Sequence, residues 1–380
     1  METKKYRFDE VTINFDKKRI PLSSAQREKR QGTFRYYGAQ GVIDHVDDYI
    51  FDGTYLLIAE DGENLKSKKQ NIAQVVDGQF WVNNHAHIVQ GNEQCDTRFL
   101  CYLINSMDLS GYVTGSAQPK LSQANLNAVT LSLPTLAEQK RIVEYLYMLD
   151  QKIDVNRQIN DNLEQQAQSY FHELFVDNAD PEWAIGTISD LGTVVGGSTP
   201  SKAKPEYYTE SGIAWITPKD LSINKSKFVS HGENDITELG LKNSSAAIMP
   251  EGTVLFSSRA PIGYIAIAAG EVTTNQGFKS VVPKPEIGTP FVYFFLKNTL
   301  PVIEGMASGS TFKEVSGSTM KNVPAVIPDA ETLAKFSDFC APIFAQQRIL
   351  EEQNQSLATL RDNLLPKLMS GEIDVSAVQL

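Results

Sequence analysis

Cysteine is scarce, with three residues, Cys95, Cys101 and Cys340, in a chain of 380. None stands in a Cys-x-x-Cys spacing, which excludes a thiolate metal site and a disulfide framework; the three read as small buried hydrophobes. Long apolar runs are missing too. No stretch is long enough to span a bilayer, and the N-terminal "METKKYRFDEVTINFDKKR" lacks the apolar core of a signal peptide, so a cytoplasmic protein with no membrane partner is expected. Basic residues are outnumbered by acidic ones, for a formal net charge of −11, which argues against a protein that simply coats nucleic acid through basic excess. The deficit sits mainly in two long segments, and "DKKR" (16–19), "QREKR" (26–30) and "KSKK" (66–69) leave room for local basic faces.

Catalytic signatures are also absent. There is no Gly-x-x-x-x-Gly-Lys-Ser/Thr phosphate cradle and no Gly-x-Gly-x-x-Gly after a strand, and "VGGSTPSK" runs into "AKPEYY", a poor helix start. "DPEW" (180–183) lacks the second proline of an amino-methyltransferase motif. Pro328-Asp329 has no Glu-x-Lys after it, and "FSSRAPIG" lacks the Gly-x-Ser-x-Gly elbow. His85 and His87 share a strand face without a third ligand, so they read as hydrogen-bonding histidines and no metal site is expected.

What the chain does contain is a repeat. "GSAQPKLSQANLNAVTLSLP" (115–134) recurs 194 positions later as "GSTFKEVSGSTMKNVPAVIP" (309–328), with Gly115/Gly309, Ser116/Ser310, Ser122/Ser316, Val129/Val323 and Pro134/Pro328 identical. The same offset carries "FLCYL" (99–103) onto "YFFLK" (293–297), and Leu163 and Leu174 onto Leu357 and Leu368. With a changed offset, "DGTYLLIAEDG" (52–62) resembles "EGTVLFSSRAPIG" (251–263). The chain reads as domain, long segment, domain, long segment.

The segment after Pro134 runs for about 40 residues without Pro or Gly, roughly 60 Å as a helix. Thr135 and Glu138 form a capping box at its start. Steps of four and three pick out Ile142, Leu146, Leu149, Ile153, Asn156, Asn160, Leu163, Ala167, Tyr170 and Leu174; the shifted set is Phe336, Cys340, Ile343, Gln347, Leu350, Asn354, Leu357, Arg361, Leu364 and Leu368. Each is a coiled-coil seam with polar breaks, and the natural partner of each helix is the other. Antiparallel pairing related by a pseudo-two-fold axis puts Asn156 opposite Asn354, with Leu149, Ile153, Leu163, Ile343, Leu350 and Leu357 as pairing residues. The rest is short β-type runs between Gly, Pro, Asn and Ser turns, with short helices at 96–107 and 289–304. The expected fold is α+β: two β-rich mixed domains at 1–134 and 177–329, a central helix at 135–176, and a C-terminal helix and tail at 330–380.

Hydrogen-bonding residues concentrate in the loops of both domains. In the first they include Ser24, Arg27, Lys29, Arg30, Arg35, Tyr36, Tyr37, Glu60, Asp61, Lys66, Lys68, Asn83, Asn84 and His85. In the second they include Ser198, Thr199, Ser201, Lys202, Lys219, Ser257, Ser258, Arg259, Asn275, Gln276 and Lys279. Arg259 suits a guanine edge, Asn275 or Gln276 an adenine, and Glu60 or Asp61 a cytosine amino group. Ser198, Thr199 and Ser201 with Lys202 suit phosphate.

These stretches resemble a known family. "PLSSAQREKRQGTFRYYGAQGVIDHVDDYIFDGTYLLIAEDGENL", "GQFWVNNHAHIV", "GGSTPSKAKPEYYTESGIAWITPKDLS", "ITELGLKNSSAAIMPEGTVLFSSRAPIGYIAIA" and "TTNQGFKSVVP", with the spacers "PTLAEQKRIVEYLYMLDQKID" and "ILEEQNQSLATLRDNLLPKLMSGEI", are similar to specificity subunits of type I restriction-modification systems. The resemblance implies two target recognition domains that read the unequal halves of a split site in double-stranded DNA, held apart by the two helices. It implies a non-catalytic chain that docks two modification subunits carrying S-adenosylmethionine, and restriction subunits that use ATP and Mg. The chain departs from the pattern at "DAETLAKF", where the first helix has "LAEQKRI". Two other readings fit the residues: a stand-alone bipartite DNA-binding regulator, and a coiled-coil scaffold whose globular ends bind protein or carbohydrate.

Overall fold

The structure, a computed structural model, describes residues 2–67, 70–115, 118–309 and 313–373. Among these, no helix is long and apolar enough to cross a membrane. The chain divides into two compact units, residues 1–153 with 356–380 and residues 154–355.

The first unit holds two four-stranded sheets. One is antiparallel, in the order Thr12–Asn14, Ala86–Gly91, Tyr55–Ala59, Ala73–Val76. The other runs Gly41–Val46, Gln31–Gly38, Gln79–Val82, Phe51–Asp52, with its two middle strands parallel. A ribbon of Lys4–Arg7 against Thr130–Leu133 closes the base. The helix Thr97–Ser106, N-capped by Asp96, packs Phe99, Leu100 and Ile104 onto the first sheet.

The second unit repeats this plan. Its larger sheet runs Gly192–Gly196, Lys279–Pro283, Val254–Ser258, Ile262–Ala268, with Phe228–Val229 added as a fifth strand. A four-stranded sheet contains Ile213–Ile216 parallel to Thr273–Thr274, and Ala184–Thr187 pairs with Pro324–Ile327. The helix Thr289–Gly305 supplies Phe291 and Phe294 to a core shared with Phe171, Phe256 and Phe336. Burying each such ring is worth roughly 1.5–3 kcal/mol.

The long segments are helices over Leu136–His172, ending in one π turn at Glu173–Asp177, and over Ala330–Ser370. The capping box holds: Thr135 N donates to Glu138 Oε2 (2.9 Å) and Glu138 N to Thr135 Oγ1 (3.4 Å). Asp329 caps the second helix by accepting from Thr332 N (2.9 Å). Every seam position is buried or half-buried.

Both units contain antiparallel stretches of these helices. In the first, Arg361 Nη1 donates to Asp150 Oδ1 (2.7 Å), and Ile142 and Leu146 share a core with Leu364 and Leu368. In the second, Asn156 Nδ2 donates to Asn354 Oδ1 (2.9 Å), and Gln347 exchanges hydrogen bonds with Asn160. There a buried lysine ties the sheet to the helices. Lys227 Nζ donates to Glu164 Oε2 (2.7 Å) and Gln347 Oε1 (2.9 Å) and lies 3.4 Å from the centre of the Phe344 ring. The backbone amides of Lys227 and Phe228 both donate to the Glu351 carboxylate.

Candidate nucleic-acid interface

One frame of hydrogen bonds is built in each unit at the sheet end that carries the polar loops. In the first unit, Asn83 N donates to Tyr37 O (2.9 Å), and the Asn83 side chain accepts from His85 N (2.8 Å). Glu60 N then donates to His85 O, Leu121 N returns to Glu60 O, and Thr114 and Lys120 exchange backbone bonds. In the second unit the same steps run from Asn275 N to Ile216 O, Gly277 N to the Asn275 side chain, Ser258 N to Gly277 O and Val315 N to Ser258 O, with Ser308 and Glu314 exchanging bonds. The frame equates Asn83 with Asn275, His85 with Gly277, Glu60 with Ser258 and Lys120 with Glu314.

Backbone amides carry the frame, so its side chains are free to differ. In the first unit, His87 is buried, with Nε2 donating to Leu121 O (2.8 Å) and Nδ1 2.7 Å from Asp16 Oδ2. Burial pushes its imidazole down, but the Asp16 and Leu121 hydrogen bonds and the Asp16 and Glu60 charges outweigh this and hold it above its ordinary value. Glu60 is shared by Arg19 (3.1 Å) and Lys120 (3.3 Å), and Asp61 accepts from or pairs with His85 Nδ1 (2.7 Å).

In the second unit the frame displays two cations around one carboxylate. Lys279 Nζ donates to Gln276 O (3.3 Å) and lies 3.8 Å from Glu314, which also meets Arg259 at 3.5 Å. Burial lowers the Lys279 ammonium pKa against the pull of Glu314. Thr199 and Gln276 are hydrogen-bonded through their side chains, joining "GGSTPSK" to "TTNQGFK".

Six residues expected at the interface are instead structural: Tyr36, Tyr37, Asn83, Ser257, Ser258 and, by the same turn bond as Asn83, Asn275. Tyr36 is fully buried and its hydroxyl accepts from Leu22 N (2.8 Å), while Tyr37 stacks edge-on against Phe80 inside a core cluster. The Asn83 side chain is spent on its turn. Ser257 bonds to Tyr264 N and Pro261 O, and Ser258 to Gly277 O, both with no exposed surface. Tyr36 with Tyr37 and Ser257 with Ser258 are consecutive and buried in pairs, so these strand ends are covered on both faces, and the hydroxyls of Tyr36, Ser257 and Ser258 serve the backbone.

The expected basic face around "QREKR" is largely neutralised, because Arg27 pairs with Asp44 (2.8 Å) and Arg30 with Asp47 (2.8 Å) across a hairpin. Arg35 donates to Asp77 O, Lys66 to Gly115 O, and Lys219 is paired with Glu233. Ser24, Lys29, Asn84, Ser201 and Lys202 are exposed, Ser198 is half-buried against Trp215, and Asn275 closes a turn. Lys68 lies outside the described residues. Lys120 and Glu314 were missed by the sequence reading, although they stand 194 positions apart in one column of the repeat with opposite charges.

Among the described residues, no cluster of His, Cys, Asp and Glu is arranged to hold a metal ion. Fold and loops together define a duplicated recognition protein: one backbone frame made twice, displaying different polar side chains. The chain belongs to the family of the type I restriction modification DNA specificity domain, whose sequence model matches residues 2–165 and 181–360. Membership makes it a non-catalytic, DNA-recognising component, and the stand-alone regulator is not favoured. It is 39% identical over 194 residues to the type I restriction enzyme MjaIX specificity subunit of Methanocaldococcus jannaschii, covering 49% of this chain and 45% of that relative. It is 24% identical over 404 aligned residues to the HindI specificity subunit of Haemophilus influenzae, covering 85% and 84%. The chain thus spans less than half of the first relative and most of the second. The solved S subunit from M. genitalium shares the fold, with a TM-score of 0.60 at 16% identity over 97% of this chain and 96% of that one.

Proposed function

We propose that the chain is the sequence-specificity subunit of a type I restriction-modification complex, reading a bipartite, asymmetric site in double-stranded DNA with one half assigned to each unit. It docks two modification subunits and the restriction subunits in the cytoplasm. S-adenosylmethionine, and ATP with Mg for restriction, belong to those partners. The observation that carries this reading is the doubled loop frame with divergent side chains: equal frames suit equivalent partners, and unequal loops suit unequal half-sites. The net acidity supports weak DNA binding by the chain alone.

Methylated bases mapped genome-wide, with the chain and its modification partners present and then with the chain deleted, test it. The expected result is one motif of two different halves at fixed spacing, lost on deletion. A motif unaffected by deletion, or tight sequence-specific binding by the purified chain at ordinary salt, contradicts it.

A further inference from the structure

The units differ most where their frames agree best. The residue after the Glu60/Ser258 position bridges to the returning loop in both: Asp61 to Lys120 in the first unit, Arg259 to Glu314 in the second. Charge is inverted at both ends of the bridge. If this were a structural ion pair, its members would be close and shielded. Instead Arg259 and Glu314 are 37% and 40% exposed and 3.5 Å apart, an arrangement worth little to stability. In the first unit Lys120 turns to Glu60 rather than to Asp61, which is held through Oδ2 by the exposed His85 ring (2.7 Å) and whose Oδ1 has no protein partner among the described residues.

Arg259 also stands on a constrained turn. Ala260 has φ +50°, a conformation L residues rarely adopt, and such outliers collect where a side chain must be aimed. A guanidinium held by one long contact keeps a fork of N–H donors for a ligand with two acceptors, and the O6/N7 edge of guanine is that ligand in the major groove. A carboxylate at the same place only accepts, and its partner among base edges is the cytosine N4 amino group.

We infer that Asp61 and Arg259 are equivalent specificity-determining residues of opposite polarity, the first selecting cytosine in one half-site and the second guanine in the other. This rests on the function proposed above. The test uses the complex assembled with its modification subunits, on duplexes carrying the mapped motif. Arg259→Ala should cut discrimination about tenfold to hundredfold at one G·C pair of one half-site, leaving the other half unchanged. Asp61→Ala should do the same in the other half. Arg259→Lys, which keeps the charge but not the fork, should fall between. Replacing that guanine with 7-deazaguanine should weaken wild type but not Arg259→Ala, and N4-monomethylcytosine, which keeps one N–H for the base pair and puts its methyl in place of the major-groove N–H, should weaken wild type but not Asp61→Ala. An unchanged motif in both variants, relaxation at an A·T pair, or uniform loss over all sequences, which marks a phosphate contact, overturns the inference. A wild-type complex with no bipartite motif sinks the function proposed above instead.

Discussion

The two units solve the same packing problem with different charges. The first secures its loop frame from below with a buried histidine and carboxylate, His87 on Asp16, whereas the second has Lys279 and Gly196 at the corresponding strand positions. The second unit in turn holds its helices through Lys227, a lysine with only 7% of its side chain exposed, where the first uses the half-buried Asp150 and Arg361 with Tyr102. Backbone bonds and the Asn83 and Asn275 turn bonds are common to both units, and the ion pairs are private to each. A frame made from amides and carbonyls survives exchange of the residues it displays, so those residues can change without refolding.

Removing one partner of the buried pair should break the comparison most severely. Glu164→Ala strands the Lys227 charge, and an unpaired buried charge costs about 3–5 kcal/mol. Hydrogen exchange read by mass spectrometry should show the loss in residues 154–355. Asp150→Ala should cost less, about 1–2 kcal/mol, in the first unit, since that ion pair keeps access to water although the Tyr102 hydroxyl loses its acceptor. Equal losses would remove the contrast.

Glu164 and Lys227 in the second unit respond to rising pH with the opposite sign to His87 in the first. Burial raises the Glu164 carboxyl, but the charges of Lys227 and Lys297 outweigh it and hold the pKa at about 2, below its ordinary 4.5. A depressed acid contributes stability that is present above 4.5 and lost as pH falls towards 2. His87 is shifted the other way, so its contribution is complete below 6.5 and lost as pH rises through the raised value. Burial pushes the Lys227 ammonium down to about 8 from 10.5. Between those values the unfolded chain binds the extra proton, so Lys227 makes unit two more stable with rising pH, the opposite sign to that of His87 in unit one above 6.5. Exchange rates measured per unit at neutral and alkaline pH check the sign.

A smaller effect sharpens the helix pairing. Asn354→Ala leaves the Nδ2 of buried Asn156, whose Oδ1 is already unpartnered, only the longer bond to Gln353 Oε1 (3.4 Å) and should cost about 1–3 kcal/mol. Replacing both with Leu should be neutral or stabilising by urea titration, while loosening the register that the amides specify.

Much of this architecture was legible from residue order alone. The 194-residue offset, the capping box at Thr135 and the four-three seam are local or periodic signals, and a helix face has to repeat in step with its own turn. The short helices read at 96–107 and 289–304 appear as Thr97–Ser106 and Thr289–Gly305. Pro342 would stop an isolated helix, yet Ala330–Ser370 runs through it, because Ile343, Phe344 and Gln347 on its inner face are fixed by packing.

Which polar residues point outward was a tertiary decision. Ser257, Ser258 and Tyr36 look as suited to DNA as Arg259 does, and only strand pairing consigns them to the interior. Strand register also corrects the repeat: matching the glycine turns equates Tyr55 with Val254, but Leu56 and Val254 are the residues that face Val89 and Val281. Side-chain period and turn length write themselves into sequence. Burial and ion pairing between residues far apart in the chain do not, because they depend on which segments the fold brings together.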